Sequence, residues 1–318
     1  YFPVKSGVFS TIKGYIKAVD GISLNVFEGE TFGIVGESGC GKSTLGRLLI
    51  RLIEPTEGTC SINDNENIYD LNSSDMRKLR RDIQIIFQDP YASLNPKMKV
   101  GNIIGESLKI YNIIPDKKER KEKVQNLLET VGLSRDHYNR YPHEFSGGQR
   151  QRICIARALA LNPKLIVCDE AVSALDVSVQ AQILNLLKDL QKEFNLTYIF
   201  ISHDLSVIKF ICNRVGVMYL GKLVEVANSK ELFNKSVHPY TEALLSAIPE
   251  PNPKKIKERL ILDSDMPNPI NLPSGCRFHT RCKYVKDECK VIVPELELIG
   301  DNHYVSCIRK RELIHNEI

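Results

Sequence analysis

Three stretches carry residues whose types and spacing suit phosphate chemistry. The first is GESGCGKST, Gly36–Thr44, which matches G-x-x-x-x-G-K-[ST]. Gly36, Gly39 and Gly41, with Ser38 and Cys40 between them, let successive backbone N–H groups turn towards one anion. Lys42 adds a full positive charge for the outer phosphates. Ser43 and Thr44 open the following helix, Ser43 with a hydroxyl for Mg²⁺. The second stretch is KLIVCDE, an apolar run that ends in Asp169 and Glu170. Asp169 is expected to hold Mg²⁺, commonly through water, and Glu170 to polarise an attacking water. Two acids after a strand say little alone; paired with Gly36–Ser43 they complete a site. The third is EFSGGQRQRICIARAL, in which Ser146, Gly147, Gly148 and Gln149 open a helix. Bare N–H groups at such a start make a second anion site.

Periodicity supplies the elements that position these residues. Thr31–Val35 reads as a buried strand before the glycine turn, and Ser43–Ile53 as a helix with Leu45, Leu48, Leu49 and Leu52 on one face. Leu165–Cys168 is a second strand. Ile153, Ile155, Ala156 and Leu159 make the apolar stripe after Ser146. SVQAQILNLLKDLQKEF reads as a helix buried through Val179, Ile183, Leu186, Leu187, Leu190 and Phe194. Strands alternating with helices indicate an α/β fold.

Composition sets outer limits. The chain has 318 residues, 42% hydrophobic and 26% charged, as a globular protein of roughly two domains would. No window reaches the ~18 apolar residues a membrane span needs. A net charge of +4 is too weak to imply a nucleic-acid partner. The run DKKERKEK, Asp116–Lys123, is mixed in sign and reads as a solvated helix face. Starting at Tyr1 rather than Met, the chain is expected to lack a few leading residues. Its nine cysteines, an odd number with no secretory leader ahead of the first motif, lead to the expectation of a reducing compartment.

With these motifs in order, the chain resembles the ATP-binding subunit of an ABC transporter, SGGQ matching that family's signature. The resemblance implies an α/β phosphate-loop NTPase core of ABC type over residues 1–90 and 155–226. It further implies an inserted helical signature subdomain over 91–154 and a small C-terminal Cys-rich extension over 227–318. ATP and Mg²⁺ are the expected ligands. Gln88, at the end of IIFQDP, matches the Q-loop glutamine that touches Mg²⁺ and moves the groove gripping the membrane subunits. SALD, Ser173–Asp176, matches the D-loop that crosses to a partner. His203 in YIFISHD matches the switch histidine that contacts the γ-phosphate. Tyr15 is the expected adenine-stacking aromatic, with Phe9 as its rival.

DPYASLNPKMKVGNII, DEAVSALDVSVQAQ and HPYTEALLSAIPEP together resemble the oligopeptide/dipeptide and nickel uptake branch, and within it the F-type subunit. Alone, the last of these is an ordinary amphipathic helix started by proline. The branch implies a peripheral ATPase on the cytoplasmic face of the cell membrane. There a head-to-tail heterodimer of two ATPase subunits sits beneath two transmembrane permease subunits, fed by an external solute-binding protein. Nickel or another small solute is the alternative cargo. A soluble non-transport ABC protein is a rival, against which stand the single cassette and the absence of a sustained heptad run. A module that binds ATP without hydrolysis is another, and the intact Glu170 and His203 oppose it.

After Pro249 the chain becomes proline-rich, through Pro251, Pro253, Pro267, Pro269 and Pro273, then enters Cys276-x5-Cys282-x6-Cys289-x17-Cys307. Four thiolates in a small polar segment can hold a metal. The gaps are longer than the usual zinc spacing and than the ferredoxin run, so spacing leaves zinc and iron–sulfur open. The resemblance favours a [4Fe–4S] cluster on these cysteines within residues 270–318, with zinc, then free thiols or disulfides, as alternatives. His279 is read as a bystander.

Overall fold

Apolar runs bounded by glycine, proline or polar caps form strands here, as their composition dictates. The computed structural model describes residues 1–6, 11–62, 67–248 and 265–315. In chain order its strands are β1 (Phe2–Ser6), β2 (Thr11–Ile16), β3 (Thr31–Val35), β4 (Ile83–Ile86) and β5 (Leu165–Asp169). They continue as β6 (Thr197–Ile201), β7 (Arg214–Tyr219), β8 (Lys222–Asn228), β9 (Glu297–Gly300) and β10 (His303–Val305). Two compact units emerge: Tyr1–Val26, Phe32–Gly58 and Ser202–Ile318 form one, Phe27–Thr31 and Thr59–Ile201 the other. Among the described residues no helix is long and apolar enough to cross a membrane.

In the second unit β4, β5 and β6 run parallel, in a register that pairs Ile83 with Leu165 and Asp169 with Ile201. Ile166, Val167 and Cys168 are fully buried. Both faces of β5 are covered, which is why it reads as an unbroken apolar run. Helices Val100–Ile110, Lys117–Thr130 and Gly147–Leu159 pack on one another, burying Ile104, Leu108, Val124, Leu128, Ile153 and Ile155. The DKKERKEK run opens the second of these. Asp116 caps it, accepting the N–H groups of Lys118 at 2.9 Å and Glu119 at 2.8 Å; Lys117, Lys118, Glu119, Lys121 and Glu122 face water as the mixed signs imply, whereas Arg120 is half-buried and donates to the Ile114 and Pro115 carbonyls. Helix Val177–Phe194 buries Ile183, Leu184, Leu187 and Leu190. Phe194 ends the expected stripe but is 38% exposed; at the last turn, before Asn195 enters the left-handed region, the helix has left its support.

In the first unit β1 and β2 form an antiparallel hairpin. β3 lies parallel to β7, β7 antiparallel to β8, and β10 antiparallel to both β8 and β9. The C-terminal strands therefore extend a sheet rather than stand apart. The helix after the glycine turn spans Lys42–Leu49, four residues short of the expectation. Arg51 has φ 50°, the N–H of Leu52 returns to the Arg47 carbonyl at 2.8 Å, and Leu52 is 49% exposed. A left-handed residue just ahead of Glu54-Pro55 stops the helix.

Candidate functional site

The glycine turn joins β3 to helix Lys42–Leu49, as a phosphate site requires. Gly41 precedes the helix with φ 108°, and a Cβ there would meet the Ala18 carbonyl oxygen at 1.9 Å. A Cβ at Gly36 would meet the Met218 carbonyl oxygen at 2.1 Å. Only glycine fits either place, and the loop closes tightly on its own backbone. Ser38, Gly39 and Cys40 complete it; Cys40 is buried, and burial pushes its thiol up. Lys42 is 5% exposed, and its Nζ donates to the carbonyls of Gly36 at 2.8 Å and Glu37 at 2.9 Å. The ammonium is thus parked on the loop, with Ser43 and Thr44 behind it in the first helical turn. Tyr15 lies on β2 and is 49% exposed. Phe9 lies outside the described residues. His203 follows β6 and is exposed; Asp204 beside it caps helix Leu205–Ile211.

In the other unit Asp169 ends β5 and is 3% exposed. Glu170 follows at φ 50°, a left-handed conformation that costs a non-glycine residue on the order of 1 kcal/mol or more and marks functional positions. Its N–H donates to the Ile201 carbonyl at 3.0 Å. Gln88, just beyond β4, donates Nε2 to Glu170 Oε2 at 2.7 Å. The parallel pairing of β4 with β5 brings these two side chains together, a contact that neither stretch shows by itself. Ser173 Oγ donates to the Glu170 carbonyl at 3.0 Å, tying SALD to the same turn.

Ser146 caps helix Gly147–Leu159 in a capping box: the Gln149 N–H donates to Ser146 Oγ at 3.4 Å, and the Ser146 N–H to Gln149 Oε1 at 3.0 Å. Ser146 is exposed. A Cβ at Gly148 would meet Val179 Cγ1 at 2.4 Å, so this glycine also admits a close approach.

Motif reading missed a group around Glu37. The N–H of Glu37 donates to the Tyr240 hydroxyl at 2.9 Å. Arg281 grips the Glu37 carboxylate with two N–H donors at 2.7 and 3.0 Å. The signal was the stretch HPY: His238 caps helix Pro239–Ser246, Pro239 starts it, and Tyr240 points its hydroxyl at the glycine turn.

The late cysteines require a correction. Cys276, Cys282, Cys289 and Cys307 do converge, lining one cavity of about 20 Å³ with Phe278 and Ile308. Yet among the described residues no group of three or more His, Cys, Asp or Glu side chains is placed to hold a metal ion. All four are free cysteines. The iron–sulfur expectation does not stand, and the zinc alternative falls with it. Desolvation pushes the thiols of Cys276 and Cys307 up to about 11 and raises Cys282. The cavity has room for roughly one water.

A glycine turn on a parallel sheet, a buried lysine, an acid pair after a second strand and a glycine-opened helix are the parts of an ATP-binding cassette. Residues 19–173 match the family model for ABC transporters, and residues 224–289 the one for the oligopeptide/dipeptide transporter C-terminal region. The chain is 53% identical over 310 residues to the oligopeptide transport ATP-binding protein AppF of Bacillus subtilis strain 168, covering 96% of this chain and 94% of that one. The chain belongs to the ATP-binding proteins of oligopeptide/dipeptide ABC transporters, and its activity is ATP hydrolysis. Among solved structures, a dimeric ATP-binding cassette in a post-hydrolysis state with ADP and Pi is 32% identical, with a TM-score of 0.62 over 72% of this chain and 95% of that chain. Clostridium perfringens cbiO1, part of the ABC transporter complex cbiONQ, is 32% identical, also with a TM-score of 0.62, over 69% of this chain and 86% of that chain.

Proposed function

We propose that this chain hydrolyses ATP to drive peptide import through two transmembrane permease subunits. It would sit on the cytoplasmic face of the membrane, paired with a second ATPase subunit and fed indirectly by an external solute-binding protein. The observation that carries this reading is the close-packed glycine turn around Lys42, joined in one chain to the Gln88–Glu170 pair and the HPY segment. The name of the Bacillus relative, an oligopeptide transport protein, supports the cargo class.

The residues fit the ligands. Backbone N–H groups of Gly36–Thr44 receive the phosphates, and Lys42 leaves its carbonyl partners to meet the outer ones. Tyr15 stacks on adenine. The hydroxyl of Ser43, the amide oxygen of Gln88 and the carboxylate of Asp169 are hard oxygen donors of the kind Mg²⁺ takes. Gln88 uses Nε2 on Glu170, which leaves its oxygen for that purpose. Bound Mg²⁺ neutralises charge on the phosphate oxygens. Glu170 orients and polarises the attacking water. His203 meets the γ-phosphate. Ser146–Gln149 serve a nucleotide held by the partner's phosphate loop, in a head-to-tail pair. ATP closes that pair and hydrolysis reopens it. Residues 91–154 pass the motion to the permeases, with residues 1–90 and 155–226 as the ATPase core.

ATP turnover by the complex assembled with permeases tests this reading. Turnover should fall about 100-fold or more in Glu170→Gln, the usual scale for losing a positioned base, with ATP binding retained. Undiminished turnover would overturn the assignment.

A further inference from the structure

The segment CRFHTRC, from Cys276 to Cys282, places two arginines four residues apart. Both reach the phosphate loop or the turn beneath it. Arg277 donates to the Leu220 carbonyl and pairs with Asp20. The next residue, Gly221, donates its N–H to the Cys40 carbonyl at 2.9 Å and accepts the Asp20 N–H at 2.8 Å. Arg277 thereby secures the β7–β8 turn on which Cys40 rests. Arg281 reaches the loop itself. Its side chain is 4% exposed, and it holds Glu37 in a two-pronged pair at 2.7 and 3.0 Å. Between the arginines, Phe278 is 2% exposed and packs against Tyr219 and Tyr240, ring centroids 5.3 Å from each. That packing fixes the backbone from which both guanidiniums project.

The pairing solves an electrostatic problem. Glu37 is a carboxylate inside a loop that must accept a polyphosphate, and like charges at close range repel. A planar guanidinium cancels that charge and fixes the carboxylate in two directions at once. The backbone of Glu37 is held as well: its N–H is taken by Tyr240 and its carbonyl by Lys42. We propose that Arg281 is a positioning residue for ATP binding, one that neutralises Glu37 within the phosphate loop and makes the C-terminal segment part of the nucleotide site. This rests on the reading of Gly36–Thr44 as the phosphate site.

The test is calorimetric titration of the full-length chain with Mg·ATP. Arg281→Ala should bind ATP about tenfold more weakly, equivalent to ~1.4 kcal/mol. Adding Glu37→Gln to Arg281→Ala should return affinity to within about threefold of wild type, because the charge left unpaired is gone. Arg281→Lys, which keeps the charge without the fork, should fall between. A scaffolding role alone gives no such rescue, so a double variant as weak as Arg281→Ala overturns the proposal. So does an Arg281→Ala affinity within about twofold of wild type while Lys42→Ala loses binding. Normal binding in Lys42→Ala would instead strike at the phosphate-site reading beneath it. Should Arg281→Ala not fold, Glu37→Gln alone decides: affinity equal to wild type or tighter supports the proposal, and a loss of about tenfold refutes it.

Discussion

Deprotonating one buried histidine should loosen the C-terminal strand. His303 begins β10, and its side chain is 3% exposed beside Glu225, which is fully buried. Nε2 lies 2.8 Å from Glu225 Oε1, and Nδ1 lies 3.3 Å from Glu231 Oε1. Glu225 also accepts the N–H groups of Val237 at 2.7 Å and His238 at 3.1 Å. Burial works against the imidazolium, but the hydrogen bonds and charges of Glu225 and Glu231 outweigh it and raise His303 above its ordinary 6.5. A raised folded-state value means stability that is fully present below the unfolded value and lost as pH climbs through the folded one. His303→Ala removes one partner of a buried pair, a loss of about 3 kcal/mol. At about 2–4 °C per kcal/mol for a unit of this size, the melting temperature should drop by roughly 6–12 °C. Thermal melts of both proteins at about pH 5.5 and about pH 9 check the sign. The gap should be wide at the lower pH and narrow at the higher one. A gap that is constant, or that widens with pH, refutes the assigned charge state.

Other outcomes follow from the same geometry. Lys42→Ala should weaken ATP binding by roughly tenfold to a hundredfold, from a charged hydrogen bond worth about 1.5–3 kcal/mol, as read by titration of the full chain. Changing Ser146 to Ala should impair the nucleotide site of the partner subunit and spare that of its own chain. Mixed dimers with one defect per chain check this, and a loss confined to the mutated chain's own site refutes the head-to-tail arrangement. Phe278→Ala should cost about 3–5 kcal/mol and speed hydrogen exchange across Cys276–Cys307, since the ring fills an aromatic pocket.

What could be read from residues alone was local. Gly36–Ser43, Leu165–Glu170 and Ser146–Gln149 each declare their element within a dozen residues, so strand, turn and helix followed from period and glycine placement. Helix ends were harder. The stop at Leu49 depends on Arg51 adopting a left-handed backbone, which no apolar count reports. Contacts over long separations were out of reach. Arg281 and Glu37 lie 244 positions apart, and nothing in CRFHTRC says that one arginine faces the phosphate loop. The cysteines failed for a different reason. Their spacing did signal convergence on one cavity, but spacing does not set how the side chains are directed within it, and among the described residues no three such side chains are placed to hold a metal ion.

The central claim, that ATP hydrolysis by this chain powers peptide import, is tested most directly by uptake into proteoliposomes. The permeases would be reconstituted with both ATPase subunits, peptide and solute-binding protein outside, and Mg·ATP sealed within. Labelled peptide should accumulate with the wild-type chain and stop with Glu170→Gln, although that variant still binds ATP. Equal accumulation with the two chains, or accumulation without ATP, would contradict the account.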